Sequence, residues 1–236
     1  MPGSIRDLND SLRSDAAPLL LLFDIDGTLI DTGGKGMAAL RKTAIEVFGN
    51  EGPPLDLAGS TDLGILENLH THFSTAPCAE RTHRFFETYH IHLEASLSSN
   101  PAEGRVLDGV VELLQDIAGA PHAKPALLTG NTMQGAWIKL RHYRLDHHFA
   151  FGAYGSDRAD RNLLGRIALE RALAHTGQAY GPERTLVIGD TPKDIACAHA
   201  VGAKCLAVAT GQFSADQLAA AGADWVVASL REVSLR

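Results

Sequence analysis

The sequence predicts an α/β fold: a mostly parallel sheet covered by helices on both faces and interrupted by an all-helical insert. Three observations carry the prediction. Short unbroken apolar runs recur along the chain, and four of them stop at Asp, Thr or Gly. Stretches with apolar residues three and four apart lie between most of them. One long stretch, residues 34–103, has the helical spacing but no strand-like run.

Taken in order, residues 1–17 are polar and mixed in sign, an arm or a short packed helix. Leu19 to Phe23 then runs into Asp24-Ile25-Asp26-Gly27-Thr28. A run without alternation reads as a central strand buried on both faces. Residues 126–128 end at Thr129-Gly130-Asn131, 185–188 at Gly189-Asp190, and 205–209 at Thr210-Gly211. A last short strand, Trp225-Val226-Val227, follows Gly222-Ala223-Asp224. Helical stripes separate them: Leu107, Val110, Val111, Leu114 and Ile117; Met133, Trp137 and Leu140; Leu164, Ile167 and Ala168; Ile195, Ala198 and Val201. Strands alternating with helices imply parallel pairing, with chemistry just beyond the carboxyl ends of the strands.

The insert carries three stripes of its own: Met37, Leu40, Ala44 and Val47; Leu66, Leu69 and Phe73; Phe86, Tyr89 and Leu93. Gly33-Gly34, Gly52-Pro53-Pro54 and the segment 101–104 punctuate it. The expected organisation is a core of residues 18–33 and 104–236, an insert of 34–103 and an N-terminal arm of 1–17.

Composition narrows the function. The 236 residues hold 21 Lys and Arg against 28 Asp and Glu, a net charge of −7. No basic stripe is present to neutralise nucleic-acid phosphates. The apolar run at 19–23 is far shorter than the ~20 residues a membrane span needs, and the polar residues ahead of it are not expected to form a signal peptide. Cys78, Cys197 and Cys205 have neither the number nor the spacing of a disulfide framework or a zinc site. A cytoplasmic location is the expectation.

The chemistry concentrates at strand ends. Asp24 and Asp26 flank one residue, and Gly27 lets the chain turn there and lets a ligand approach the backbone. Two crowded carboxylates need a cation, a shared proton or split pKa values. Asp190 sits at the tip of another buried strand, and Asp194 stands four residues on, where its charge suits a helix start. Two acidic clusters at the ends of parallel strands can converge on one hard cation such as Mg2+. Thr129-Gly130-Asn131-Thr132 offers a hydroxyl and backbone N–H groups as an anion cradle, while Asn131 or Thr132 would serve equally as a helix cap.

The ordered set Asp24-Ile25-Asp26-Gly27-Thr28-Leu29, Leu128-Thr129-Gly130-Asn131 and Gly189-Asp190-Thr191-Pro192-Lys193-Asp194 resembles the haloacid dehalogenase (HAD) superfamily, specifically its phosphatases. The insert resembles the type-1 helical cap of phosphoglycolate phosphatase-like members. The resemblance implies a Rossmann-like core. It implies Asp24 as the nucleophile that forms an aspartyl-phosphate and Asp26 as the general acid and base. Asp24, Asp26 (through its carbonyl), Asp190 and Asp194 would hold Mg2+, with Asp194 acting through water or by orienting the loop. Thr129, Gly130 and Asn131 would hold phosphoryl oxygens. The second carboxylate, Asp26, points to phosphoryl transfer rather than dehalogenation, and Thr28 is the phosphatase rather than the mutase choice.

The family's usual lysine before Pro-x-Pro has no counterpart here. Arg161, close to a helix start, is favoured over Arg158 as the substitute cation that binds phosphate, because a guanidinium fork suits phosphoryl and carboxylate oxygens. Cap candidates for substrate contact are Lys35, Ser60 and Thr61. The pairs His70-x-His72 and His90-x-His92 point to different faces of a helix and are expected to be packed or solvated. Tyr143, Trp137 and Phe149 are expected in the core. The implied substrate is a small phosphorylated metabolite, with phosphoglycolate the family-associated candidate, and the protein a monomer or homodimer. A phosphomutase or phosphotransferase sharing the aspartyl-phosphate is the alternative. A non-catalytic binding protein is disfavoured by the intact aspartates.

Overall fold

A computed structural model describes residues 2–13, 17–99 and 103–235. Parts of the expected arm, of the end of the insert and of the chain end (residues 1, 14–16, 100–102 and 236) lie outside the described residues.

Helix α1 (Ile5–Arg13) opens the chain, with Leu8 and Leu12 buried. Strand β1 (Leu19–Phe23) is buried at every position. A two-residue strand β2 (Ile30–Asp31) follows the acidic turn. Three helices come next: α2 (Lys35–Phe48), α3 (Asp62–His72) and α4 (Ala79–Ser99). Strand β3 (Arg105–Val106) returns antiparallel to β2. The remainder alternates: α5 (Val110–Ala118), β4 (Ala123–Thr129), α6 (Met133–His142), β5 (Gly152–Tyr154), α7 (Leu164–Thr176), β6 (Thr185–Gly189), α8 (Pro192–Ala200), β7 (Lys204–Val208), α9 (Ala215–Ala220) and β8 (Trp225–Val227).

The main sheet has six parallel strands in the order β5-β4-β1-β6-β7-β8. β1 therefore lies between β4 and β6, where the chain switches from building one side of the sheet to building the other. Ligands of open α/β sheets collect at such a switch point, outside the carboxyl ends of the strands.

Period-2 geometry splits β1 between two cores. Leu19, Leu21 and Phe23 pack on the side of α1, α5, α6 and the C-terminal Leu230, Val233 and Leu235. Leu20 and Leu22 pack on the side of α7, α8 and α9. This is why the run shows no alternation: both faces are dry. Phe149 is buried against Phe23, and Trp137 and Tyr143 are partly buried at the same core.

The insert has its own apolar centre, with Leu40, Leu66, Leu69, Phe85, Tyr89 and Leu93 among its members. Ile138 of α6 joins that cluster, so the cap rests on the helix that follows β4. The architecture is a Rossmann-like core with an inserted all-helical cap. Cys197 and Cys205 are buried and Cys78 is exposed, all as free thiols. Among the described residues no helix is long and apolar enough to cross a membrane.

Candidate active site

Asp24 extends the strand pairing by one residue, its N–H donating to the Ile188 carbonyl at 2.9 Å. The chain then curls tightly. The N–H groups of Leu29 and Ile30 converge on the Ile25 carbonyl at 2.9 and 3.0 Å, and Gly27 adopts φ +79°. A side chain there would be strained and would strike the Asp190 carboxylate, so glycine is required for both reasons. The curl brings Asp24 and Asp26, which an extended strand would send to opposite faces, onto the rim of one cavity of about 260 Å³.

Asp190 ends up beside that turn, accepting a hydrogen bond from Thr28 Oγ1 at 3.3 Å. Asp194 is fully buried and has two partners. Its Oδ2 accepts from the Thr191 N–H at 3.0 Å, closing a capping box at the start of α8. Its Oδ1 meets Arg161 Nη2. The same guanidinium lies 3.2 Å from Asp24 Oδ2 and donates to the Gly59 carbonyl at 3.1 Å. Arg161 is 6% exposed, on a 3-10 turn that leads into α7, whereas Arg158 is exposed and donates to the Asp157 carbonyl next to it.

Oxygens of Asp24, Asp190 and Asp194 lie within 4.8 Å of one another, all buried. Burial, with the neighbouring carboxylates Asp194 and Asp24 adding to it, pushes the Asp190 carboxyl up to about 8. Burial likewise lifts Asp24 to about 6, against the pull of Arg161. One arginine does not offset three buried carboxylates. The cluster is a hard, all-oxygen donor set with unbalanced negative charge, and it fits a divalent cation.

That imbalance has a measurable sign. In the metal-free protein both carboxyls hold protons that the unfolded chain releases near pH 4. The folded state thus binds more protons, and stability falls as pH rises from about 4 through 6 and then 8. A divalent cation displaces those protons. Saturating Mg2+ is expected to raise Tm by about 5–10 °C at pH 8 and by much less at pH 5. Thermal denaturation with and without Mg2+ checks this; an increment independent of pH would exclude these carboxylates as the ligands.

Two residues of the site stand outside the candidates drawn from the sequence, Asp62 and Lys139. From the buried face of α6 the Lys139 ammonium donates to Asp26 Oδ1 and Oδ2 at 2.8 and 2.6 Å and to Asn131 Oδ1 at 2.6 Å. Asn131 in turn donates to Asp26 Oδ2 and to Thr129 Oγ1, both at 2.8 Å. Thr132, not Asn131, caps α6, accepting from the Gly135 N–H at 3.1 Å. The sequence does hold a signal for Lys139. Thr132, Gly135, Ala136 and Lys139 share one face at helical spacing, and a lysine on a face of such small residues has few reasons to be there except a buried partner.

The cap loop closes over this floor. The Asp62 N–H donates to the Gly130 carbonyl at 2.7 Å, and Asp62 Oδ2 accepts from the Thr132 N–H at 2.7 Å. Thr61 is buried; it caps α3 and donates to the Ala159 carbonyl at 2.6 Å, facing away from the cavity lining. Ser60 does line the cavity and accepts from Lys193 at 2.7 Å. Lys35 is buried 3.7 Å from Glu103 and does not line it. Among the histidines, His90 is buried against Thr132 Oγ1 at 2.8 Å, His70 against Thr75 at 2.7 Å, and His92 pairs with Glu46.

Known proteins are similar to this chain both in sequence and in the arrangement of a parallel sheet with a helical insert. The HAD-hydrolase-like profile (Hydrolase_like) matches residues 164–233. A 5'-nucleotidase of Pseudomonas aeruginosa is 30% identical over 210 residues, 85% of this chain and 86% of that protein. The tyrosine-protein kinase PtkA of Mycobacterium tuberculosis is 29% identical over 206 residues, 85% of this chain but 65% of the kinase. The crystal structure of CbbY from Rhodobacter sphaeroides in complex with phosphate shares the fold, with a TM-score of 0.69 at 19% identity over 91% of this chain and 96% of that one. The chain belongs to the haloacid dehalogenase superfamily of hydrolases.

Proposed function

We propose that the protein is a Mg2+-dependent phosphatase that hydrolyses a small organic phosphate monoester through an aspartyl-phosphate on Asp24. The observation that carries this reading is the pairing of two carboxylates with different surroundings. Asp24 is buried on Arg161 beside Asp190, and Asp26 reaches the same cavity in the grip of Lys139 and Asn131.

In this reading Asp24 forms a bond to phosphorus as the ester P–O bond breaks. Asp26 gives its proton to the departing alkoxide oxygen, then takes one from the water that releases phosphate from Asp24. Thr129, Gly130 and Asn131 hold phosphoryl oxygens, and Arg161 keeps Asp24 oriented and offsets part of its charge. Asp24, Asp190 and the Asp26 carbonyl hold the cation, with Asp194 orienting Arg161 and the α8 start. When bound, Mg2+ supplies the positive charge that lets an anion approach an acidic floor. Residues 34–103 act as the cap that keeps bulk water out, over a core of 18–33 and 104–236. Lys35, Ser60 and Thr61 remain cap positions of interest, of which Ser60 alone lines the cavity.

The family resemblance offers phosphoglycolate as a substrate candidate, and the name of the Pseudomonas aeruginosa relative offers a nucleoside 5'-monophosphate. Transfer to an acceptor hydroxyl in place of water is the second reading, favoured by the likeness to PtkA. Release of p-nitrophenol and inorganic phosphate from p-nitrophenyl phosphate tests the proposal. Turnover is expected with Mg2+ and is expected to stop on chelation with EDTA. A rate untouched by EDTA would exclude the metal role, and phosphate appearing on an added alcohol rather than in solution would favour the transferase.

A further inference from the structure

The cavity has two chemically different ends. Its floor carries the carboxylates, Asn131, Lys139 and Arg161. Its cap side presents Met37, Leu40, Leu57, Ile65 and Tyr89, and among them one carboxylate, Asp62. Asp62 cannot swing away. It is 5% exposed, its oxygen is tied to the Thr132 N–H at 2.7 Å, and its own N–H is tied to the Gly130 carbonyl.

The cations make their short contacts elsewhere, although the charge of Lys139 also pulls on Asp62. Among the described residues the lining holds Lys139 and Arg161, the first spent on Asp26 and Asn131, the second on Asp24 and Asp194. Four carboxylates line the cavity against these two cations (Asp24, Asp26, Asp62 and Asp190). One divalent ion at the floor balances that excess but leaves the cap end with Asp62. Lys193, the cation next to Ser60, is held by Ser60 Oγ and by Asp56 at 3.0 Å.

We infer that the substrate's leaving alcohol carries no anionic group: it is an uncharged, hydroxyl-bearing alcohol with an apolar face. The inference rests on the phosphatase reading and sharpens its substrate class. The phosphoryl group sits at the floor, so whatever the ester carries beyond its bridging oxygen meets the cap side. A hydroxyl there donates to Asp62, and a carbon face lies on Leu40, Leu57 and Ile65. Burial lifts the Asp62 carboxyl to about 6 against the pull of Lys139, so at pH 8 a carboxylate or a second phosphate there meets a fixed like charge and apolar wall, with its water removed. Nucleoside 5'-monophosphates and sugar monophosphates fall inside this class. Phosphoglycolate and bisphosphates fall outside it.

The decisive comparison is between 2-hydroxyethyl phosphate and 2-phosphoglycolate, nearly equal in size and differing in charge. With Mg2+ present, kcat/KM is expected to favour 2-hydroxyethyl phosphate by about tenfold or more, the scale of one like-charge contact at a partly buried site. Asp62→Asn keeps an oxygen for the Thr132 N–H and removes the charge, so the ratio between the two esters is expected to shrink at least about threefold in that variant. Taking the ratio within each protein divides out any general loss of activity. The same order is expected in affinity, read by isothermal titration of both esters into Asp24→Asn protein with Mg2+. Equal or better handling of 2-phosphoglycolate by the wild type, or a ratio unmoved by Asp62→Asn, overturns the inference. Absence of turnover on every ester, p-nitrophenyl phosphate included, overturns the phosphatase reading instead, and the titration then decides the charge preference alone.

Discussion

Asp24→Asn protein is expected to lose turnover of p-nitrophenyl phosphate in Mg2+ by a factor on the order of 10⁴ to 10⁶, the scale seen when a covalent nucleophile is removed. The amide is nearly the same size, so packing around residue 24 is preserved. What goes is the negative oxygen that makes the bond to phosphorus. Arg161 then loses one of its two carboxylate partners but keeps Asp194, so the variant should stay folded. Circular dichroism checks the fold and stopped-time phosphate release checks the rate. Retained turnover would move the nucleophile elsewhere and dissolve the proposed mechanism.

Lys139→Met is the second large effect. Methionine fills a similar volume on α6 but leaves Asp26 without its ammonium and Asn131 Oδ1 without its donor. Asp26 is then free to turn toward solvent, since its side chain is already 42% exposed. The step that suffers is proton delivery to the leaving oxygen, and general acid catalysis is worth about 10²–10⁴-fold. We expect kcat for an alkyl phosphate to fall about 100-fold, at the lower end of that range because Asp26 itself remains. Turnover of p-nitrophenyl phosphate should fall much less, because p-nitrophenolate departs without help. An equal loss on both esters would mean that Lys139 supports structure alone and does not position Asp26.

Much of this site is legible in the order of residues alone. Asp24 and Asp190 each stand at the end of a dry apolar run, with Asp26 and Asp194 two and four residues on, and a buried strand that stops at a charged residue marks a sheet edge facing something polar. Arg161 is legible as a candidate only through its place ahead of the α7 stripe. Elements with little local signal are not legible. β5 is three residues long and begins at Gly152, and β2 and β3 are two residues each, joined across the whole insert. Such strands exist because of a partner, not because of their own propensity. Lys139 carries a local sign in the small residues that share its helix face, but its role depends on residues eight and 113 positions away. Asp62 stands in the first turn of α3, and only the docked cap makes it part of a wall.

By itself, then, the sequence determines the parallel core, the helical insert and the four aspartates. Those follow from local rules, since hydrophobic period, glycine and charge act within a few residues. The tertiary structure decides which charges meet. It turns Asp26 onto Lys139, drives Arg161 between Asp24 and Asp194, and brings Asp62 down over the phosphate floor. The physical reason is that electrostatic energy depends on separation and burial, and both are set by how distant segments pack rather than by their order in the chain.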